Sequence, residues 1–126
     1  MTKSLTLMGK NSGLLLKMDA NFWVRCYLTD FEKDLFLGAE TRKYLIERLI
    51  NCFTSVETTP PLPLNGHQVN WVLTLSETHV VLYCARENDN FLFLWQNTTA
   101  KKPEIIGTIE VDEQQASLWM EELRFS

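Results

Sequence analysis

The chain has 126 residues, a length that suits one folded domain and leaves little room for two. Hydrophobic residues make up 45% and charged residues 22%, near the globular average, which excludes a disordered chain, a collagen-like repeat and a disulfide-dense miniprotein. The net charge of −4 weighs against a dedicated nucleic-acid binder, whose affinity comes mostly from neutralising phosphates, and against a basic membrane-surface helix.

The first ten residues hold no continuous apolar run, so no signal peptide is expected. No stretch approaches the roughly 18 apolar residues of a membrane span. Cys26, Cys52 and Cys84 are scattered and odd in number, the usage of reduced thiols in a cytoplasmic protein. Asn97-Thr98-Thr99 fits a glycosylation acceptor but reads as a polar turn in that compartment.

Leu5 to Met8 and Leu14 to Met18 flank the polar, glycine-bounded Gly9–Gly13, a hairpin signal. Phe22 to Thr29 is rich in aromatic and β-branched residues. Its alternation predicts a strand with Phe22, Val24, Cys26 and Leu28 on one face and Trp23, Arg25, Tyr27 and Thr29 on the other. Leu35-Phe36-Leu37 is a short apolar piece before Gly38. From Ala39 to about Ser55 the period lengthens. Leu45, Ile46, Leu49, Ile50 and Phe53 recur at spacings of three and four, one face of an amphipathic helix. Glu40 is expected in its first turn, where the helix dipole favours a negative charge.

Three prolines at positions 60, 61 and 63 suit neither a helix nor a central strand. Residues 58–66 therefore read as a link inside a single domain, 1–126, between two pseudo-repeats at 1–57 and 67–126. Beyond the link the order recurs. Val69 to Leu75 alternates, His79 to Ala85 and Phe91 to Trp95 follow after short turns, and Ile105 to Val111 adds a fourth strand. Phe91 to Trp95 is apolar on both faces, so it should be central in the sheet or lie at a second interface. Asp112 has N-cap chemistry, and Ala116, Trp119, Met120 and Leu123 continue at helical spacing. The fold class expected is α+β: an antiparallel sheet built from two β-β-β-β-α units, with helices packed on the sheet.

The residues that could carry chemistry are few. The two histidines, His67 and His79, lie outside any metal-ligand spacing. His79 and Cys84 are five apart on one strand and so face opposite ways, which argues against a local Cys–His pair. No phosphate-cradling glycine motif and no nucleophile elbow occurs. Glu121-Glu122 and Asp112-Glu113 read as a solvated helix surface. The sequence thus offers no case for an enzyme, a cofactor or a metal.

The outward face of the third strand is the candidate binding surface. Trp23, Arg25 and Tyr27 project together, and Lys17 on the preceding strand can join them. Three readings stay open. A helix covers the face and Trp23 is core; the face contacts a protein, since Trp, Tyr and Arg dominate interface hot spots; or its rings and cations hold single-stranded nucleic acid.

Four strands and a helix, twice, resembles the plan of the Whirly and positive-cofactor-four group of single-stranded-DNA-binding transcriptional regulators, and of a small cyanobacterial family of that fold. The resemblance spans the whole chain as an order of elements. The nearest counterpart of the Whirly Lys-Gly-Asn-Leu-Ser type motif is Lys10-Asn11-Ser12-Gly13, which falls in a turn and not on a strand. No DNA-contacting residue carries over. The resemblance implies single strands lying across the sheet. The residues themselves favour a non-catalytic cytoplasmic domain that binds a protein partner or a second copy of itself, with nucleic acid disfavoured by the acidic charge and no membrane involved.

Overall fold

The protein is described from a computed structural model, which places residues 3–19, 21–30, 32–54, 62–99 and 104–125. Two antiparallel sheets and two helices make an α+β fold. The first sheet runs β1 (Lys3–Met8), β2 (Gly13–Met18), β3 (Trp23–Thr29) and β4 (Asp34–Thr41) in sequence order. Helix α1 (Arg42–Thr54) follows. The second sheet runs β5 (Leu62–Leu64), β6 (His67–Thr74), β7 (Val80–Glu87), β8 (Asn90–Asn97) and β9 (Glu104–Val111), and α2 (Glu113–Arg124) closes the chain.

Several expectations are corrected. The strands form two sheets, one of four and one of five, and not a single sheet of two equal units. The fifth strand lies in the proline-rich link: Leu62–Leu64 pairs with β6 across Asn65-Gly66. Both turn residues have positive φ, 50° and 83°, the geometry of the Asn-Gly hairpin turn. Pro63 is tolerated because β5 is an edge strand. Residues 58–61 of the link lie outside the described residues.

Glu40 is not in a helix. It is the penultimate residue of β4, opposite Val24, and α1 has no acidic residue in its first turn. Hydrogen bonds override the helical period here. Ala39 oxygen accepts from Ser76 N at 3.1 Å, and the Glu40 carboxylate accepts from Ser76 Oγ at 2.5 Å and from Thr41 N at 2.9 Å. Phe22 is also corrected. It precedes β3 with φ of 63° and is 72% exposed, so it does not share the buried face of Val24 and Cys26.

Alternation places Leu5, Leu7, Leu14, Leu16, Val24 and Cys26 in the core. Trp71, Leu73, Leu82, Phe93, Trp95 and Ile109 of the second sheet join the same cluster, with Leu45, Leu49 and Phe53 of α1 and Trp119 of α2. Phe93 and Trp119 stack with centroids 5.4 Å apart, while Phe53 meets Phe91 edge-on at 4.8 Å, a favoured aromatic geometry. Strand β8 lies between β7 and β9. Its Phe93 and Trp95 enter the main core and its Leu94 enters a second cluster with Val69 and Ala85, which explains why the run is apolar on both faces.

The two sheets are tied at two places on the first. In the turn between β1 and β2, Lys10 N donates to Glu110 oxygen at 2.8 Å, and Ser12 Oγ donates to Thr108 oxygen at 2.8 Å. Beside β4, Thr78 Oγ donates to Leu37 oxygen at 2.5 Å. Trp119 Nε1 donates to Met8 oxygen at 2.9 Å, joining the last helix to the first strand. Gly9 and Gly38 stand where the second sheet and its loops leave no room for a side chain. A Cβ at Gly9 would strike Ile109 Cγ2 and the Glu110 oxygen, and one at Gly38 would meet Leu75 Cβ at 2.9 Å.

Candidate binding face on the first sheet

Within β3 the period of two sends Val24 and Cys26 inward, both fully buried, and Trp23, Arg25 and Tyr27 outward. The register then assembles the neighbours. Lys17 stands opposite Arg25 and Leu15 opposite Tyr27 on β2, while Phe36 stands opposite Tyr27 on β4. Residues directly opposite across paired strands share a face. All four sequence-predicted residues, Lys17, Trp23, Arg25 and Tyr27, are therefore brought together.

The face is open. Trp23 is 37% exposed and Phe36 41%, Lys17 and Arg25 are exposed, and Tyr27 is half-buried. Trp23 does not enter the core, which removes the first of its three readings. The Lys17 ammonium sits over the Tyr27 ring, 4.9 Å from its centroid, a cation–π contact. Phe36 lies on the other flank of Tyr27, with centroids 5.4 Å apart and planes tilted by 56°. The result is an aromatic strip with two cations. One carboxylate stands at a paired outward position, Asp34 opposite Thr29, at the end of β3 away from Trp23.

Phe36 escapes a reading by simple alternation because β3 and β4 change register between Cys26 and Tyr27. Cys26 pairs with Gly38 and Tyr27 with Phe36, leaving Leu37 as the extra residue, which goes to the core. Such a bulge turns the next side chain to the other face. Gly38 was the available signal, since glycine inside a strand often marks a bulge.

Beneath the strip, burial and then the Glu40 carboxylate push the Cys26 thiol up to about 12. Cys52 is raised as well, first by burial and then by Cys84 beside it. All three cysteines are free and buried. A buried neutral thiol is a poor nucleophile.

The remaining polar candidates lie elsewhere. His67 Nδ1 pairs with the Glu87 carboxylate, His79 is exposed before β7, and Cys84 is buried. Among the described residues no three His, Cys, Asp or Glu side chains are grouped to hold a metal ion. None of the described helices is long and apolar enough to cross a membrane. No protein-family model matches this chain, and no curated protein or solved structure matches it either.

Proposed function

We propose that the chain is a non-catalytic, cytoplasmic protein-binding domain that engages its partner through the outer face of the first sheet. The observation that carries this reading is the strip of Trp23, Tyr27 and Phe36 flanked by Lys17 and Arg25, left open on the sheet. Trp, Tyr and Arg carry most binding energy at protein interfaces, where a rigid aromatic surface costs little entropy to order. Exposed aromatic side chains gathered on one face lose water on contact, which supplies the non-directional part of the affinity.

The Whirly-like resemblance would put single-stranded nucleic acid on this same face. Two features favour protein over nucleic acid. The Lys17 ammonium occupies the place over Tyr27 where a base would stack, and the 56° tilt between Tyr27 and Phe36 breaks the run of parallel rings that successive bases use. The net charge of −4 also repels a polyanion at long range.

The test is a selection of displayed random peptides on the intact domain, read against Trp23→Ala, with a fluorescent oligothymidine titrated at low salt in parallel. The expected result is a set of peptides whose affinity falls about tenfold to a hundredfold in Trp23→Ala, the loss typical of an interface hot spot, with the variant still folded by circular dichroism. Peptides indifferent to Trp23→Ala would refute the face. Tight oligonucleotide binding abolished by Trp23→Ala would instead establish the nucleic-acid reading.

A further inference from the structure

A second surface lies on the helical side. An open groove of about 530 Å³ runs between the first half of α1 and the last turn of α2. Ile46, Ile50 and Leu123 line its apolar part, and Arg42, Lys43 and Arg124 contribute three cations against the single carboxylate of Glu47. A locally positive groove on a chain of net charge −4 selects for a negatively charged occupant.

Phe22 also lines the groove. Its φ of 63° is a conformation that bulky residues rarely adopt, and its ring is 72% exposed. The turn is held by its neighbours: Arg42 N donates to Phe22 oxygen at 2.8 Å, and Asp19 Oδ1 accepts from Asn21 N at 2.8 Å. The backbone thus holds an aromatic ring in water beside an apolar groove. Local strain of this kind gathers at functional surfaces.

The complementary shape and charge are present on the same molecule. The solvent side of α2 carries Leu118, 56% exposed, and the residue that caps the helix, Phe125, is 81% exposed. Their separation of seven residues is two helical turns, so they share one face. Glu121 stands between them on that face and is exposed. An apolar ridge with a central carboxylate fits an apolar groove with a cationic rim. Helix α2 contributes to both, its inner edge to the groove and its outer stripe to the ridge. A two-fold axis beside α2 can therefore satisfy both contacts at once, since in an isologous interface each patch meets its counterpart twice.

We propose that a second copy of the chain occupies this groove, the two copies forming a two-fold dimer in which Leu118 and Phe125 of one seat against Ile46 and Ile50 of the other. Glu121 then faces Arg42 and Lys43 across the interface. Helices of 12 and 13 residues are only about 18–20 Å long, so the dimer is weak and concentration-dependent. It adjoins the sheet face at Phe22 and Thr41, which line the groove, and does not rest on that face being a binding site.

Sedimentation velocity on the intact chain, from low micromolar to near-millimolar, tests it. The expected result is a reversible rise from the 14.7 kDa chain toward twice that mass. Leu118→Asp and Arg42→Glu each weaken the dimer by roughly tenfold or more, as burying an unpartnered charge does. Glu121→Arg does the same alone, and combining it with Arg42→Glu restores association by exchanging the two charges. Tyr27→Ala, whose register partners Leu15 and Phe36 lie outside the groove, leaves the dimer intact, which separates this surface from the aromatic strip. A chain that stays monomeric at the highest concentration overturns the proposal and leaves the groove to a foreign acidic helix. A dimer indifferent to Leu118→Asp and Arg42→Glu overturns it equally.

Discussion

Cys26 shows how one side chain reports on its surroundings. It lies on β3 between the outward-facing Arg25 and Tyr27 and is itself buried, with its thiol pushed up to about 12. Unfolding returns it to an ordinary value near 9. Between those values the unfolded chain loses a proton that the folded chain keeps, so stability falls as pH rises. The contribution is fully present below about pH 9 and is lost by up to about 1.4 kcal/mol per pH unit above it. Urea titrations at pH 8 and pH 10.5 should show that loss, and Cys26→Ala, though less stable overall, should show a smaller pH dependence. An equal pH dependence in Cys26→Ala would mean that the thiol is not responsible. Glu40, the one buried charged residue among those described, illustrates the opposite case. Its carboxylate is satisfied by Ser76 and Thr41, and the side chain that pattern assigns to a solvated helix turn instead fastens one sheet to the other.

At the scale of elements, the two helices are held by different means. Helix α2 begins with a full capping box: Asp112 Oδ1 accepts from Gln115 N at 2.7 Å, and Asp112 N donates to Gln115 Oε1 at 3.1 Å. Glu113 in its first turn and Arg124 in its last suit the helix dipole. Asp112→Ala should cost about 1 kcal/mol, measured as a drop in the urea midpoint at unchanged slope; no change would show that packing alone holds the helix start. Helix α1 has no acid in its first turn and no base in its last, and Arg42 and Lys43 oppose its dipole. Its stability rests on Leu45, Leu49, Cys52 and Phe53 in the core. Both helices were legible from apolar spacing, and the cap of α2 from Asp112 itself. The start of α1 was not, because helical period and strand pairing compete over Ala39–Thr41 and the hydrogen bonds from Ser76, distant in sequence, decide it. Strand β5 was hidden by its proline, although Asn65-Gly66 marks the turn that forms it. The shared face of Trp23, Arg25 and Tyr27 was legible from alternation, since inward and outward sides follow from the pleat, and the place of Lys17 beside them from the expected pairing of neighbouring strands. Phe36 was not, because a bulge reverses alternation and Gly38 alone marks it in the sequence.

In the whole molecule, four tryptophans divide into two groups. Trp71, Trp95 and Trp119 are buried within 4% exposure where strands of the second sheet and α2 meet the first half of the chain, and Trp23 alone looks outward. The outer face of the first sheet is the surface that the proposed protein-binding reading assigns to a partner, and its openness at Trp23 is the claim on which that reading stands. Iodide quenching of tryptophan fluorescence tests that claim most directly, because iodide does not enter a packed core. The account predicts that the intact protein shows a distinct quenchable fraction and that Trp23→Phe, still folded, removes it and leaves only shielded emission. Intact protein with no quenchable fraction, or Trp23→Phe with an undiminished one, would contradict it.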